Sequence, residues 1–177
     1  DFTWAKAQLK VLKGSTTQLI ANDAVDLFLK ITDNEPVDSI PSGLKQLAKA
    51  ELLSYQNKDA EALAEIETLF SSKQIFVNGL VPGEVIYDDV LFFQAKLFIK
   101  QEKYDEAILS LAKIIAADTQ GFLTDDVYFM MAEIYNNNLN DIEKAKEYYQ
   151  KIIFEHPSSI YLVDARNKFR KLRGDKI

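Results

Sequence analysis

One pattern of residues occurs twice between residues 87 and 157 of this chain. Asp88-Asp89-Val90 returns as Asp125-Asp126-Val127, and Ala95 returns as Ala132, in both cases 37 residues later. In each copy the small alanine stands where two helices must approach closely. The repetition therefore predicts two copies of one helical hairpin, stacked as neighbours.

Both helices of each copy show helical periodicity. Large residues flank the alanine of the first helix, and the residues of the second helix recur four and three apart, which places them on one face. The flanking residues are Leu91 and Phe98 in one copy, and Tyr128 and Tyr135 in the other. The second helices carry Ala107, Leu111 and Ile114, and then Ala145, Tyr149 and Ile152.

These positions resemble the signature of tetratricopeptide repeats, which are helical hairpins of about 34 residues with small and aromatic signature residues. The resemblance covers two repeats at about 87–120 and 124–157, the second with one extra residue in the turn 136–141. A weaker copy lies at about 43–74, where Asp59 replaces the usual aromatic residue.

The remaining segments complete a single helical domain of residues 1–177. Residues 1–13 resemble the second half of a repeat and end at Gly14, residues 16–33 form another helix, and residues 159–173 form a capping helix. The resemblance implies an all-α fold, a TPR-like right-handed solenoid of about nine helices in antiparallel pairs, without a sheet.

Two segments interrupt the repeat spacing, at 33–43 and 72–84. Both contain proline and glycine, which favour turns over helix. The second is longer than most connections between repeats, so it is either a variable surface connection or a functional loop.

The C-terminal segment of the chain is basic and also contains several apolar residues. Residues 166–177 contain six basic residues and one acid, whereas residues 1–165 contain 15 basic and 26 acidic residues, and the net charge is −6. This acidic balance argues against a general nucleic-acid-binding protein. The capping helix is expected to expose its basic residues and to bury part of its apolar residues, which are Ile160, Leu162, Val163, Phe169 and Leu172.

The cellular location rests on resemblance alone. The chain has no cysteine, and its apolar runs are far shorter than the roughly 20 residues of a membrane span. The run from Ile152 to Asp175 resembles the C-terminal end of long bacterial repeat proteins of the cell envelope. This implies a periplasmic or outer-membrane-associated protein, with the cytoplasm as an alternative.

The start at Asp1, in mid-repeat and without a leader, predicts a piece of a larger protein.

No group of residues in the sequence is typical of an enzyme. The pairs Asp88-Asp89 and Asp125-Asp126 each open a helix, where carboxylates accept backbone N–H groups and meet the positive end of the helix dipole. His156 is the only histidine and stands at a helix end, which predicts capping. The polar turn 136–141 lacks the glycine and distal glutamate of a calcium loop. We therefore expect no catalytic, cofactor-binding or metal-binding site.

The resemblance implies a concave groove lined by the first helices, which binds a protein or peptide partner. The inward positions of the family fall on Leu47, Glu51, Phe92, Lys96, Phe129, Glu133 and Asn136. Of these only Lys96 is cationic, which disfavours the groove that clamps a peptide's terminal carboxylate. An aromatic floor with mixed charge suits an apolar or amphipathic segment, although the same aromatic residues could pack against neighbouring helices.

Other functions remain open on the sequence. The chain could be a structural or self-associating end-piece of a longer repeat array, or the regulatory arm of a multidomain protein. The single tryptophan, Trp4, is expected to pack against the next helix or against the missing first half of its repeat, with a recognition contact as the alternative.

Overall fold

The computed structural model describes residues 1–15, 17–34, 43–72, 80–82, 84, 86–119 and 121–175. These residues form nine α-helices and no strand, so the all-α fold is confirmed. The bounds are α1 Phe2–Leu12, α2 Gln18–Asn34, α3 Leu44–Tyr55, α4 Asp59–Ser71, α5 Tyr87–Lys100, α6 Tyr104–Ala117, α7 Thr124–Asn137, α8 Ile142–Glu155 and α9 Leu162–Arg173. Most of the two predicted loops, 35–42 and 73–79, lies outside the described residues.

The chain divides into two compact units, Asp1–Tyr87 and Asp88–Ile177. In the first unit α1 packs against α2, and α3 packs against α4. In the second unit α7 packs against both α6 and α8, and α8 also packs against α9. The helices α5 and α6 are joined by a hydrogen bond that the Ser110 hydroxyl of α6 donates to Gln94 of α5 at 3.0 Å.

The predicted core positions are buried in both units. Ala95 and Ala132 have no exposed surface, as expected of small residues at close helix crossings. The second helices bury the predicted faces, which consist of Ala62, Ile66 and Leu69 in α4, Ala107, Leu111 and Ile114 in α6, and Ala145, Tyr149 and Ile152 in α8. The two helices of the weak copy, α3 and α4, therefore pack as a helical hairpin like those of the other two copies.

Each of the three hairpin turns contains one residue with a left-handed backbone conformation. Asn57, Glu102 and Asn140 have positive φ angles of 60°, 59° and 54°. The amide of the following residue donates to a carbonyl in the last turn of the first helix, with N···O distances of 2.9 Å for Lys58 to Leu53, Lys103 to Phe98 and Asp141 to Tyr135. The last bond spans one more residue than the others, which places the predicted extra residue in this turn.

Several details differ from the sequence predictions. Gly14 follows α1 without a left-handed backbone, because the helix ends through ordinary right-handed geometry at Lys13. The last helix begins at Leu162 instead of residue 159, and Ile160 and Val163 are 85% and 65% exposed. Trp4 is 66% exposed, so it lies largely outside the packing between helices.

Candidate partner-binding surface

One side of α7 carries Asp126, Phe129, Glu133 and Asn136, at spacings of three and four residues that align them along the helix. We call these four residues the α7 face. All four are partly buried, whereas the opposite side of α7 is buried against α8 and contributes Tyr128 and Tyr135 to the core. The α7 face therefore lies at the edge of the core, where side chains are held in place but remain partly accessible.

Phe129 packs in an aromatic cluster within the second unit. Its ring stacks on Tyr161, with centroids 4.3 Å apart and planes 14° apart, and meets the edge of Tyr149 at 6.1 Å. The ammonium group of Lys168 lies 5.4 Å from the centroid of the Phe129 ring, within cation–π distance. The predicted alternative, that this aromatic residue packs against neighbouring helices, therefore holds for part of its surface.

Glu133 accepts hydrogen bonds from three donors. Its Oε1 accepts from the Tyr149 hydroxyl and from the Lys168 ammonium group, and its Oε2 accepts from the Asn137 amide at 3.0 Å. Burial alone would raise the pKa of Glu133, but the hydrogen bonds from Lys168, Tyr149 and Asn137 and the charge of Lys168 outweigh it and lower the pKa. Burial and the Glu133 carboxylate raise the pKa of Tyr149. Glu133 is thus a fixed anion linking α7, α8 and α9.

Asp126 forms a second polar contact between α7 and α9. Its Oδ1 accepts a hydrogen bond from the Tyr161 hydroxyl at 2.8 Å. Burial raises the pKa of Asp126, opposed by the Tyr161 hydrogen bond and by the charge of Lys96, while Asp125 adds to the increase. Asp126 therefore does more than open a helix, and it lies near enough to Lys96 of α5 for their charges to interact.

Phe92 and Lys96 lie one turn apart on α5. The Lys96 ammonium group lies 4.5 Å from the centroid of the Phe92 ring. Phe92 is partly buried and Lys96 is exposed. At the other end of the α7 face, the partly buried Asn136 donates to the Asn137 side chain at 2.8 Å. Phe92, Lys96 and Asn136 thus add an aromatic ring, a cation and an amide to the candidate surface that Phe129 and Glu133 form.

The two predicted residues of the first unit differ from each other. Leu47 has no exposed surface and belongs to the core of that unit. Glu51 is partly exposed and accepts from the ammonium group of Lys30 at 2.6 Å, an ion pair between α2 and α3. Glu51 can therefore offer a surface charge, whereas Leu47 packs α3 against the core of the first unit.

Sequence reasoning did not assign Asp126, Tyr161 and Lys168 to this surface, and it did not predict that the buried Tyr149 supports the surface by donating to Glu133. Lys168 was expected to be an exposed cation of the cap, but it pairs with Glu133. Tyr161 and Lys168 lie 35 residues after their partners Asp126 and Glu133. This interval, close to the repeat length, was the available signal that α9 lies beside α7 as the first helix of another repeat would.

The acidic pair Asp88-Asp89 and His156 lie at helix ends, as their positions in the sequence predicted. Asp88 and Asp89 lie in the first turn of α5, and burial, followed by the charges of Asp118 and Asp89, raises the pKa of Asp88. His156 is the C-cap of α8, and its ring meets the edge of Tyr128 with centroids 5.6 Å apart. Within the described residues, no cluster of three or more potential ligands could hold a metal ion.

Comparison with known proteins identifies one family over part of the chain. Residues 126–159 match the family model described as tetratricopeptide repeat. The match covers α7 from Asp126 onward, all of α8 and the start of the connection to α9, and it supports the resemblance of these helices to such repeats. Neither the curated proteins nor the solved structures give a match to the chain. Among the helices of the described segments, none is long and apolar enough to cross a bilayer.

Proposed function

We propose that this protein is a non-enzymatic scaffold that binds a protein partner through the inner faces of its first helices. Tetratricopeptide repeats generally mediate protein–protein interactions, and residues 126–159 match that family. The observation that carries the proposal is the α7 face, where aromatic and charged side chains are fixed by neighbouring helices at the edge of the core.

Rigid side chains favour binding because they lose little conformational freedom when a partner arrives. Phe129 is held by Tyr161 and Tyr149, and Glu133 by Lys168 and Tyr149. The partly exposed surface of Phe92 and Phe129 suits apolar side chains of the partner. We therefore propose an apolar or amphipathic peptide segment as the ligand.

The predicted groove residues take different roles in this proposal. Within the second unit, Phe92, Lys96, Phe129 and Asn136 contact the partner, and within the first unit Glu51 offers a surface charge. Glu133 orients the surface through its internal hydrogen bonds, and Leu47 stabilises α3 from within the core.

A photo-crosslinking amino acid at Phe92 or Asn136 tests this surface. We expect both positions to capture the same protein from an extract of the source cells, and a crosslinker at Leu109 of α6, which is 63% exposed, to miss it. The purified captured protein should then bind a Phe92→Ala variant more weakly than the parent. Equal capture at all three positions, or unchanged affinity of the variant, would contradict the proposal.

We further propose that the scaffold belongs to a larger bacterial envelope protein, on the strength of the resemblance of residues 152–175. Fractionation of cells that express the complete gene tests this placement, with recovery in the periplasmic or outer-membrane fraction as the expected result.

The alternative function, a self-associating end-piece of an array, predicts a molar mass that rises with concentration in size-exclusion chromatography with light scattering.

A further inference from the structure

A cavity of about 290 Å³ lies between α8 and α9, away from the α7 face. Ile153 and Phe154 of α8 and Val163 and Phe169 of α9 form its apolar part. Phe154 is 72% exposed and Val163 is 65% exposed. The polar part of the lining consists of Arg166, Asn167 and Arg170. The cavity is therefore an open apolar hollow with two guanidinium groups beside it.

The α9 side of this cavity corresponds to the side of α7 on which α8 packs. Each of the five α9 residues of the lining stands 35 residues after a buried residue of α7, the same interval that separates Asp126 from Tyr161 and Glu133 from Lys168. In order, Val163, Arg166, Asn167, Phe169 and Arg170 correspond to Tyr128, Met131, Ala132, Ile134 and Tyr135. The cavity thus occupies the position on α9 that a second helix occupies on α7.

The end of α9 supports this correspondence. Gly174 has a φ of 86°, and the Asp175 amide donates to the Arg170 carbonyl at 3.0 Å. The same left-handed residue and the same five-residue hydrogen bond end α3 and α5, which are first helices of hairpins. α9 therefore has the form of a first helix, and no helix of the described segments covers its cavity side.

The differences between α7 and α9 indicate the chemistry of an occupant. In the α7–α8 pair, Tyr148 lies over Tyr128 and Tyr135, with ring centroids 6.0 and 5.7 Å away. On α9 the positions of Tyr128 and Tyr135 are taken by Val163 and Arg170, and Arg166, at the position of Met131, lies one turn from each of them. Arg170 already lies 3.5 Å from a carboxylate oxygen of Asp175, which shows that an acid can reach it, whereas Arg166 has no ion pair with any described residue.

We propose that the α8–α9 cavity binds an amphipathic α-helix of a partner protein. The apolar residues of that helix follow the spacing of Ala145, Tyr149 and Ile152, and a glutamate or aspartate replaces the residue that corresponds to Tyr148, facing Arg170 and Arg166. Carboxylates pair with guanidinium groups through strong hydrogen bonds, which sets the side of the helix that faces α9. This surface is distinct from the α7 face, and the inference does not depend on what that face binds.

Two synthetic peptides test the proposal on the complete chain of 177 residues. Both copy residues 141–155 with a fluorescent label, one with Tyr148→Glu and the other with Tyr148→Lys. Because the peptides differ only at this position, where one carries a negative and the other a positive charge, fluorescence anisotropy measures the preference for an acid directly. We expect the glutamate peptide to bind at least about tenfold more tightly than the lysine peptide, and the difference to shrink as salt is added.

Protein variants locate the binding. Arg166→Glu should reverse the preference between the two peptides, whereas Lys171→Glu, an exposed residue of the same helix outside the cavity, should leave it unchanged. Phe154→Ser should weaken the glutamate peptide about tenfold, and Leu109→Ser on α6 should not. All four residues are exposed, so none of these changes removes a buried contact.

Three results would overturn the proposal. Equal binding of the two peptides, or binding of neither at millimolar concentration, excludes an acidic amphipathic helix as the occupant. A parent dimer that Phe154→Ser dissociates assigns the surface to a second copy of this chain. Sedimentation with anionic vesicles that Arg166→Glu abolishes, without peptide binding, assigns it to a membrane surface.

Discussion

Glu133 joins three helices through the hydrogen bonds of a single side chain. Its carboxylate accepts from Lys168 of α9, Tyr149 of α8 and Asn137 of its own helix. A partly buried anion with several donors is stabilised in its charged form, because hydrogen bonds offset the cost of removing it from water. The charge of Glu133 is therefore part of the packing of three helices.

We predict that Glu133→Gln destabilises the protein by about 1–2 kcal/mol at neutral pH, because it leaves Lys168 without its anion. The pKa of Glu133 is lowered in the folded protein, so its contribution is present above the unfolded value of about 4.3 and is lost as the pH falls through the folded-state pKa. Urea unfolding at several pH values should show the difference from the parent shrinking below about pH 4.3.

Glu143→Gln is the matched control for this prediction. Glu143 also pairs with a lysine, Lys146 at 2.7 Å, but its side chain is 83% exposed. Exposed pairs contribute little, so the control should change the free energy of unfolding by less than about 0.5 kcal/mol. Equal effects of the two substitutions would show that the Glu133 hydrogen bonds are unimportant for stability.

Tyr161→Phe tests the contact between α9 and Asp126 without changing the stacked ring. The variant loses the hydroxyl that donates to Asp126 at 2.8 Å. We expect a loss of about 0.5–1.5 kcal/mol in unfolding free energy. The pKa of Asp126 should rise further, because this hydrogen bond lowers it. Thermal unfolding and an NMR titration of the Asp126 carboxyl measure the two effects, with Tyr55→Phe, at an 86% exposed tyrosine, as the control.

At the scale of elements, the hairpin turns contain local strain. Glu102 has a φ of 59°, a conformation that costs a residue with a Cβ about 1–2 kcal/mol and costs glycine little. We predict that Glu102→Gly stabilises the protein by up to about 1 kcal/mol. This net gain is smaller than the strain that is relieved, because glycine also increases the conformational entropy of the unfolded chain. Lys113→Gly, at an exposed position inside α6, should instead destabilise it by about 1 kcal/mol in the same denaturation assay.

The close helix crossings should reject larger residues. Ala95 and Ala132 have no exposed surface, so Ala95→Leu or Ala132→Leu should destabilise by about 1–3 kcal/mol through overpacking. Ala116→Leu, at an exposed position of α6, is the control for helix propensity alone. Thermal midpoints that are unchanged for both buried positions would contradict this assignment of the crossings.

Most helices could be predicted from the sequence because periodic apolar residues and turn residues are local signals. The helices α3 to α8 lie in pairs within the predicted repeats 43–74, 87–120 and 124–157. The surroundings of Glu133 could not be predicted, because they depend on contacts between helices 35 residues apart. For the same reason Lys168 looked like a solvent-exposed cation, and Val163 looked buried in a helix that leaves it exposed.

At the scale of the whole molecule, charge is distributed unevenly along the chain. The basic residues of 166–177 stand against an acidic remainder of 15 basic and 26 acidic residues. Part of this basic charge is neutralised locally, since Lys168 pairs with Glu133, and Arg170 and Arg173 pair with Asp175. The basic end therefore presents less free positive charge than its composition indicates.

This local pairing leads to a prediction about membranes. Each basic residue near an anionic surface would add about 1 kcal/mol of attraction, screened over about 8–10 Å, while the acidic body repels the same surface. We expect Arg166→Gln, Arg170→Gln and Lys171→Gln together to leave the fold intact and to cause no salt-dependent change in sedimentation with anionic liposomes. Lys168 is kept, because its loss would disturb the packing of α9 through Glu133. A clear loss of liposome binding in the triple variant would show that the basic end contacts lipid head groups.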